Sequence, residues 1–281
     1  MSVATRRAPA RSEIDAGAIF VYVVLAGVAV VVGGILLSVL LDAFATSWFG
    51  GWMPDAYTDR WFRAAITEFQ IPQILGATAV ITLSVTAIGV LIGVPASYVL
   101  ARRRFRGKGI VQLLLLLPLL LPPITYGIPL ATMLYEFRVA GTMVGVIIAN
   151  LVPSVPLVVL LLTPFFEQID PNLERAARVL GASPRGVFMR VLVPIAAPGV
   201  LAAALIVVVR TLAMFELTFL TSGADSQTLV VALYYAAFAP GIRPSQQIDA
   251  MAVVYMATSL ALLVVALRFV SPTNMVVRVR R

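Results

Sequence analysis

Six apolar stretches, each long enough to cross a bilayer as a helix, leave this chain few folds to choose from. They run over about 16–45, 71–101, 109–135, 142–163, 195–222 and 248–270. A hydrocarbon core needs about 20 apolar residues in helical form. Water is absent there, so a spanning segment must satisfy its own backbone N–H and C=O groups, as a helix does. The chain is 60% hydrophobic and 12% charged, whereas soluble domains are about 25% charged. The expectation is an all-α polytopic membrane protein: one six-span domain over 16–270, between basic tails at 1–15 and 271–281. Ala43-Phe44-Ala45 looks like a signal-peptide cleavage site. The apolar run before it is about twice a normal signal core, so it reads as a span.

The placement of basic residues orients the spans. Sixteen of the 21 lie in the two tails and in the loops on the terminal side. That side includes Arg102, Arg103, Arg104, Arg106 and Lys108. The opposite loops hold four: Arg60, Arg63, Arg138 and Arg243. Basic loops stay cytoplasmic, so both termini are expected inside. The net charge of +8 therefore reflects orientation, and no nucleic-acid partner is expected. All three tryptophans (Trp48, Trp52 and Trp61) fall in 46–70, as in an interfacial belt on the outer side. That segment reads either as an interfacial helix or as a docking surface.

The chemistry is sparse. Absence of His and Cys removes imidazole acid–base work, thiol chemistry and the usual zinc sites. Gly107-Lys108-Gly109 lacks the upstream glycine and the hydroxyl of a phosphate-binding loop, and no Gly-x-Ser-x-Gly is present. No enzyme activity, metal or cofactor is expected of this chain. Pro118, Pro122, Pro123 and Pro129 interrupt the third span. They suit either a cavity lining or a kinked packing helix. Gly89 and Gly93, four apart in the second span, allow a neighbouring helix to come close. Arg210 and Glu216 fall in the fifth span, where charges face a cavity or a partner. Glu216 lines a substrate path or satisfies a helix interface; for Arg210 the interface is preferred. Asp42 and Asp249 read as acids at outer helix ends.

Between the fourth and fifth spans lies a polar island, residues 170–194. Asp170 suits a helix cap and Pro171 the first turn. Leu173, Ala176, Ala177 and Leu180 share one face. Gly181 suits a left-handed stop, and Ser183-Pro184 starts a second helix that Pro194 closes. Val187, Phe188, Val191 and Leu192 lie on its apolar side. Two short amphipathic helices about a glycine hinge are expected.

This island resembles the "EAA" loop of permease subunits of bacterial type I ABC importers. That pattern is Glu-Ala-Ala, three residues, Gly, nine residues, Ile-x-Leu-Pro. Here it reads Arg175-Ala176-Ala177, Gly181, then Val191-x-Val193-Pro194, with Gly181-Ala182-Ser183 as the family's common continuation. Arg175 stands at the Glu position, with Glu174 one residue earlier. The likeness extends over about 70–270 and implies a permease fold with a coupling loop at 164–194. It implies that Glu174, Arg175, Ala176, Ala177, Gly181, Ala182, Ser183 and Pro194 contact a cytoplasmic ATP-binding cassette ATPase dimer. It further implies a second permease subunit, more readily a homologue than a copy of this chain, and an extracytoplasmic substrate-binding protein. The setting implied is a bacterial inner membrane with its lipid.

For the substrate, two likenesses compete. The Arg-Phe-Arg-Gly-Lys run at 104–108 and Pro244, Ile248, Asp249 and Ala250 look like the second permease of spermidine/putrescine-type importers, and Glu216 and Asp249 suit a cation. Phe215-Glu216 followed by Thr228-Leu229-Val230-Val231 looks like sugar-importer permeases. The polyamine reading is preferred, with Glu216, Phe215 and Asp249 on the substrate pathway. Outside this family, the composition also suits a stand-alone secondary transporter or a membrane scaffold.

Overall fold

A computed structural model describes residues 16–238 and 243–269. The two tails, with Arg6, Arg7, Arg11, Arg278, Arg280 and Arg281, lie outside the described residues. The described chain is helical apart from loops and a single antiparallel bridge, Ala45 with Tyr57.

Helix α1 (Ala16–Phe44) is followed by a tryptophan-bearing loop and a short amphipathic helix, α2 (Arg60–Glu68). Trp61 donates from Nε1 to the Ala45 carbonyl at 2.7 Å and Trp48 to the Gly51 carbonyl at 2.8 Å. Then come α3 (Ile71–Arg102), α4 (Lys108–Leu120), α5 (Pro123–Glu136) and α6 (Met143–Gln168). Two short helices follow, α7 (Pro171–Val179) and α8 (Pro184–Val187), leading into α9 (Val193–Ala213). The chain ends in α10 (Glu216–Thr221), α11 (Leu229–Phe238) and α12 (Ser245–Phe269).

Among the described residues, five helical segments are long and apolar enough to span a membrane: 17–44, 71–102, 143–168, 184–213 and 245–265. The sixth expected span is a bent pair, α4 and α5, meeting at 99°. The reason is local. Leu121 and Pro122 each precede a proline, which disfavours helical backbone, and both are extended (ψ 142° and 131°). Pro123 can then open α5, where its missing N–H costs nothing.

The centre of the bundle is the α3–α6 pair, with α9 against both. Val85, Val94, Val158, Leu162, Phe166, Leu192 and Val207 form the core. Gly89 and Gly93 do face α6. A Cβ on Gly93 would lie 2.7 Å from Val158 Cβ, so the contact requires glycine. By contrast, no part of the most apolar stretch of α1 is buried. It leans on α12 and α2 and leaves most of its surface free.

Two sequence expectations fail here. The fifth span does not continue to 222. It stops at Ala213, with Met214 extended, and α10 begins at Glu216. Arg210 is thus in the last turn of α9, and the break at Met214 separates it from Glu216. The presumed loop after 222 also contains α11, whose 10 residues reach only about 15 Å.

Candidate functional site

The polar island folds as two helices around a left-handed glycine. Asp170 accepts a hydrogen bond from the Asn172 N–H at 2.9 Å and Ser183 from the Gly186 N–H at 3.2 Å. Gly181 has φ +86°, a conformation that costs side-chain-bearing residues roughly 1–2 kcal/mol. The N–H groups of Leu180, Gly181 and Ala182 turn back to the carbonyls of Ala176, Arg178 and Ala177. This satisfies the end of α7 without outside help.

Pro194 does not close the second helix. A π-helical turn at Phe188–Leu192 joins α8 to α9, and the Val193 N–H bonds to the Phe188 carbonyl. Proline cannot donate to the carbonyl four residues back and collides with it. Widening the preceding turn by one residue removes that conflict. The outcome is a continuous helical rod from Pro184 to Ala213, so displacement of α8 is carried directly into a membrane-spanning helix.

The faces of the projection are sorted differently from the apolar stripe read in sequence. Leu173 is half exposed, and Val179 and Leu180 are 87% and 88% exposed. Arg175, Ala176 and Ser183 are exposed, while Ala177 and Ala182 are partly buried and pack on the core. The buried member of α7 is its carboxylate. Glu174 accepts from Arg102 Nε at 2.7 Å, from the Tyr98 hydroxyl at 3.0 Å and from Arg178 at 3.3 Å. Arg102 also donates to the Ile169 carbonyl at 2.6 Å. Tyr98 in turn contacts the rings of Phe166 and Phe188. Glu174 therefore ties α7 to α3. Sequence spacing concealed this, because Arg102 lies on another span.

A second polar assembly surrounds the break between α9 and α10. Glu216 occupies the first turn of α10, where the helix dipole favours an acid. Tyr126 of α5 lies within electrostatic reach of both Arg210 and Glu216, and its buried hydroxyl has no hydrogen-bond partner. Asn150 of α6 donates to Thr218 of α10 at 3.3 Å. Beside them Phe215 stacks on Phe219 (centroids 5.1 Å apart) and meets Tyr234 at 4.9 Å. Tyr235 and Phe238 extend the cluster along α11. Tyr126 and the α11 aromatics were missed in sequence. The usable signal was aromatic density in 215–238, mistaken for span and loop.

Asp249 is elsewhere. It lies beside Asp42 of α1, whose carboxylate also accepts from Gln246 at 3.0 Å. Phe215 and Glu216 are brought together and Asp249 is not. Near it, Glu68 of α2 accepts from Gln247 at 2.5 Å and from Arg243 at 3.4 Å. Among the described residues no group of three or more acids, histidines or cysteines could hold a metal ion.

Comparison with known proteins bears on the whole arrangement. The molybdate/tungstate transport system permease protein of Pyrococcus abyssi is 34% identical over 51% of this chain and 59% of its own length. The sulfoquinovosyl glycerol transport system permease protein of Agrobacterium fabrum is 30% identical over 67% of both chains. The trehalose transport system permease protein of Mycobacterium tuberculosis is 36% identical, but only 46% of its length is covered. This chain thus spans about half to two thirds of these relatives. The crystal structure of a bacterial ABC transporter involved in import of the acidic polysaccharide alginate superposes with a TM-score of 0.75. Identity is 16%, over 93% of this chain and 99% of that chain, which establishes a shared fold. Residues 93–280 match the family described as binding-protein-dependent transport system inner membrane component. The match takes in α4 to α12 and the projection between α6 and α9, and the chain belongs to that family.

Proposed function

We propose that this chain is a permease subunit of an ATP-driven importer, and that the α7–Gly181–α8 projection docks on a cytoplasmic ATPase subunit. The observation that carries this is the inverted burial of the projection. Its carboxylate is held inside, while Val179 and Leu180 are almost fully exposed, and Leu180 lines a surface cleft with Arg185 and Arg190. Apolar side chains ringed by arginines suit a groove with an acidic rim, and the rod from Pro184 to Ala213 carries the movement into the membrane. Both termini, the projection and the 102–108 loop then face the cytoplasm. A second permease subunit and a binding protein complete the importer. No catalytic step is assigned to this chain.

The polyamine preference gains nothing from the relatives named above, which are named for molybdate or for sugars. The pathway we infer runs past the α9–α10 break, and a carbohydrate suits it best. Phe219, Tyr234, Tyr235 and Phe238 offer partly exposed ring faces, and Glu216 offers an acceptor. Arg210 supports a second reading, an oxyanion. Asp249 stands outside the pathway on this reading.

The test is ATP-dependent uptake by proteoliposomes holding the full chain with its ATPase, second permease and binding protein. Labelled sugar, molybdate and spermidine would be compared. Glu216→Ala should lower sugar uptake roughly tenfold or more, since a hydrogen bond to a charged group is worth about 1.5–3 kcal/mol. Assembly should survive. Uptake by the chain alone, driven by an ion gradient, would refute the importer reading.

A further inference from the structure

The basic loop at 102–108 is larger than an orientation signal requires, and it does not stand alone. It forms one wall of a cleft of about 590 Å³ whose other wall is α7. Arg102, Arg103, Arg104 and Lys108 line it from the junction of α3 and α4, and Arg175 and Arg178 from the projection. Glu174 is the one carboxylate among its lining residues, and it is already engaged by Arg102 and Arg178. Lys108 stands 3.8 Å from Glu167. Arg103, Arg104 and Arg175 have no carboxylate partner among the described residues. Six cations converging on so little negative charge repel one another unless an anion joins them.

The position of the cleft indicates which anion. The apolar run of α3 ends just before Arg102, and that of α4 begins just after Lys108. The cleft therefore sits at the level where two spans leave the hydrocarbon. Helix α4, which starts at the cleft with Lys108, presents Ile110 (65% exposed), Leu113 and Leu114 (both 58%) outward, and no residue of α4 is buried. Cations at headgroup depth beneath an uncovered apolar wall match an amphiphile with an anionic head. A free oxyanion would use the cations and leave the wall uncovered. A protein carboxylate would have to reach into the cleft from the aqueous side, past the projection.

We propose that this cleft binds the phosphate group of an anionic phospholipid, with its acyl chains along α4. The lipid then braces the projection against the bundle from the side opposite its exposed tip. Arg175 thereby gains a role that does not depend on a docking partner, and this site stands whether or not the projection docks on an ATPase.

The experiment uses the full chain in nanodiscs of phosphatidylcholine with a minor fraction of phosphatidylglycerol, and native mass spectrometry after detergent release. Wild type should retain phosphatidylglycerol in preference to phosphatidylcholine. Arg103→Glu with Arg104→Glu should reduce that retention about tenfold. Arg185→Glu with Arg190→Glu, elsewhere on the projection, should leave it unchanged, as should Arg103→Lys with Arg104→Lys. If the reversed pair does not fold, Arg103→Gln with Arg104→Gln is read in its place, with several-fold loss expected. Equal retention by wild type and the neutralised or reversed variants would overturn the proposal. Displacement of the lipid by millimolar inorganic phosphate would overturn the lipid in favour of a free oxyanion. Loss of phosphatidylglycerol on adding the ATPase subunit would assign the cleft to that protein and overturn it likewise.

Discussion

Glu174 and Glu68 have the same task at two places in the molecule. Each lies on a short amphipathic helix and joins it to a long span. Glu174 of α7 meets Arg102 and Tyr98 of α3, and Glu68 of α2 meets Arg243 and Gln247 at the start of α12. Their surroundings differ. The Glu174 and Arg102 side chains are 8% and 14% exposed, and those of Glu68 and Arg243 are 48% and 28% exposed. Low dielectric strengthens the first pair and makes an unmatched charge there expensive. Water screens the second, and such exposed pairs contribute about 0–1 kcal/mol. The joint at the projection is therefore stiff and the joint at the tryptophan loop is soft. A stiff joint suits an element that transmits displacement; a soft one suits a belt that adapts to a surface.

The sharpest way to break this contrast is Glu174→Gln, which leaves the Arg102 guanidinium buried without its counter-charge. Breaking such a pair costs about 3–5 kcal/mol, read as a large fall in the melting temperature of the solubilised protein. An unchanged melt would mean that the joint is solvated in solution. Replacing both partners, Arg102→Met with Glu174→Leu, should recover most of that stability, because a buried pair is often no better than a matched apolar one. Recovery of stability without recovery of ATP-coupled uptake would separate holding the projection from steering it.

A smaller effect is expected at the hinge. A Cβ at Gly181 would meet nothing within 4 Å, so Gly181→Ala introduces strain at φ +86° and no clash. The cost is about 1–2 kcal/mol. The altered direction of the chain into Ser183 should raise ATP hydrolysis relative to uptake. Equal coupling ratios in variant and wild type would argue against a geometric role for the hinge. Smallest of all, Glu68→Gln should shift stability by at most about 1 kcal/mol, in a thermal melt run beside Glu174→Gln. A comparable loss at both sites would erase the distinction.

Legibility in the sequence followed the range of the forces involved. Asp170, Gly181 and Ser183 were readable because capping and left-handed backbone are decided within a few residues. The bend at Pro122-Pro123 was half readable: the prolines marked a disturbance, and the 99° turn needed α5 packed on α6 and α10. The break at Met214-Phe215 carried no proline or glycine, and it hid inside an apolar run. The closing of the second helix at Pro194 was misread, since a π-helical turn lets a helix pass a proline and leaves no mark in composition.

Sequence alone determined the class of this protein: apolar runs in a solvent without hydrogen bonds must be helices. Its inner polar segment also determined its own helix–glycine–helix form. Tertiary structure decided what each charge is for. Glu174 turned inward because Arg102, on a different span, was there to receive it. Asp249 lies beside Asp42, on the first helix. Pairings of that range depend on how helices stack, and hydropathy, which depends on local composition, carries no record of them.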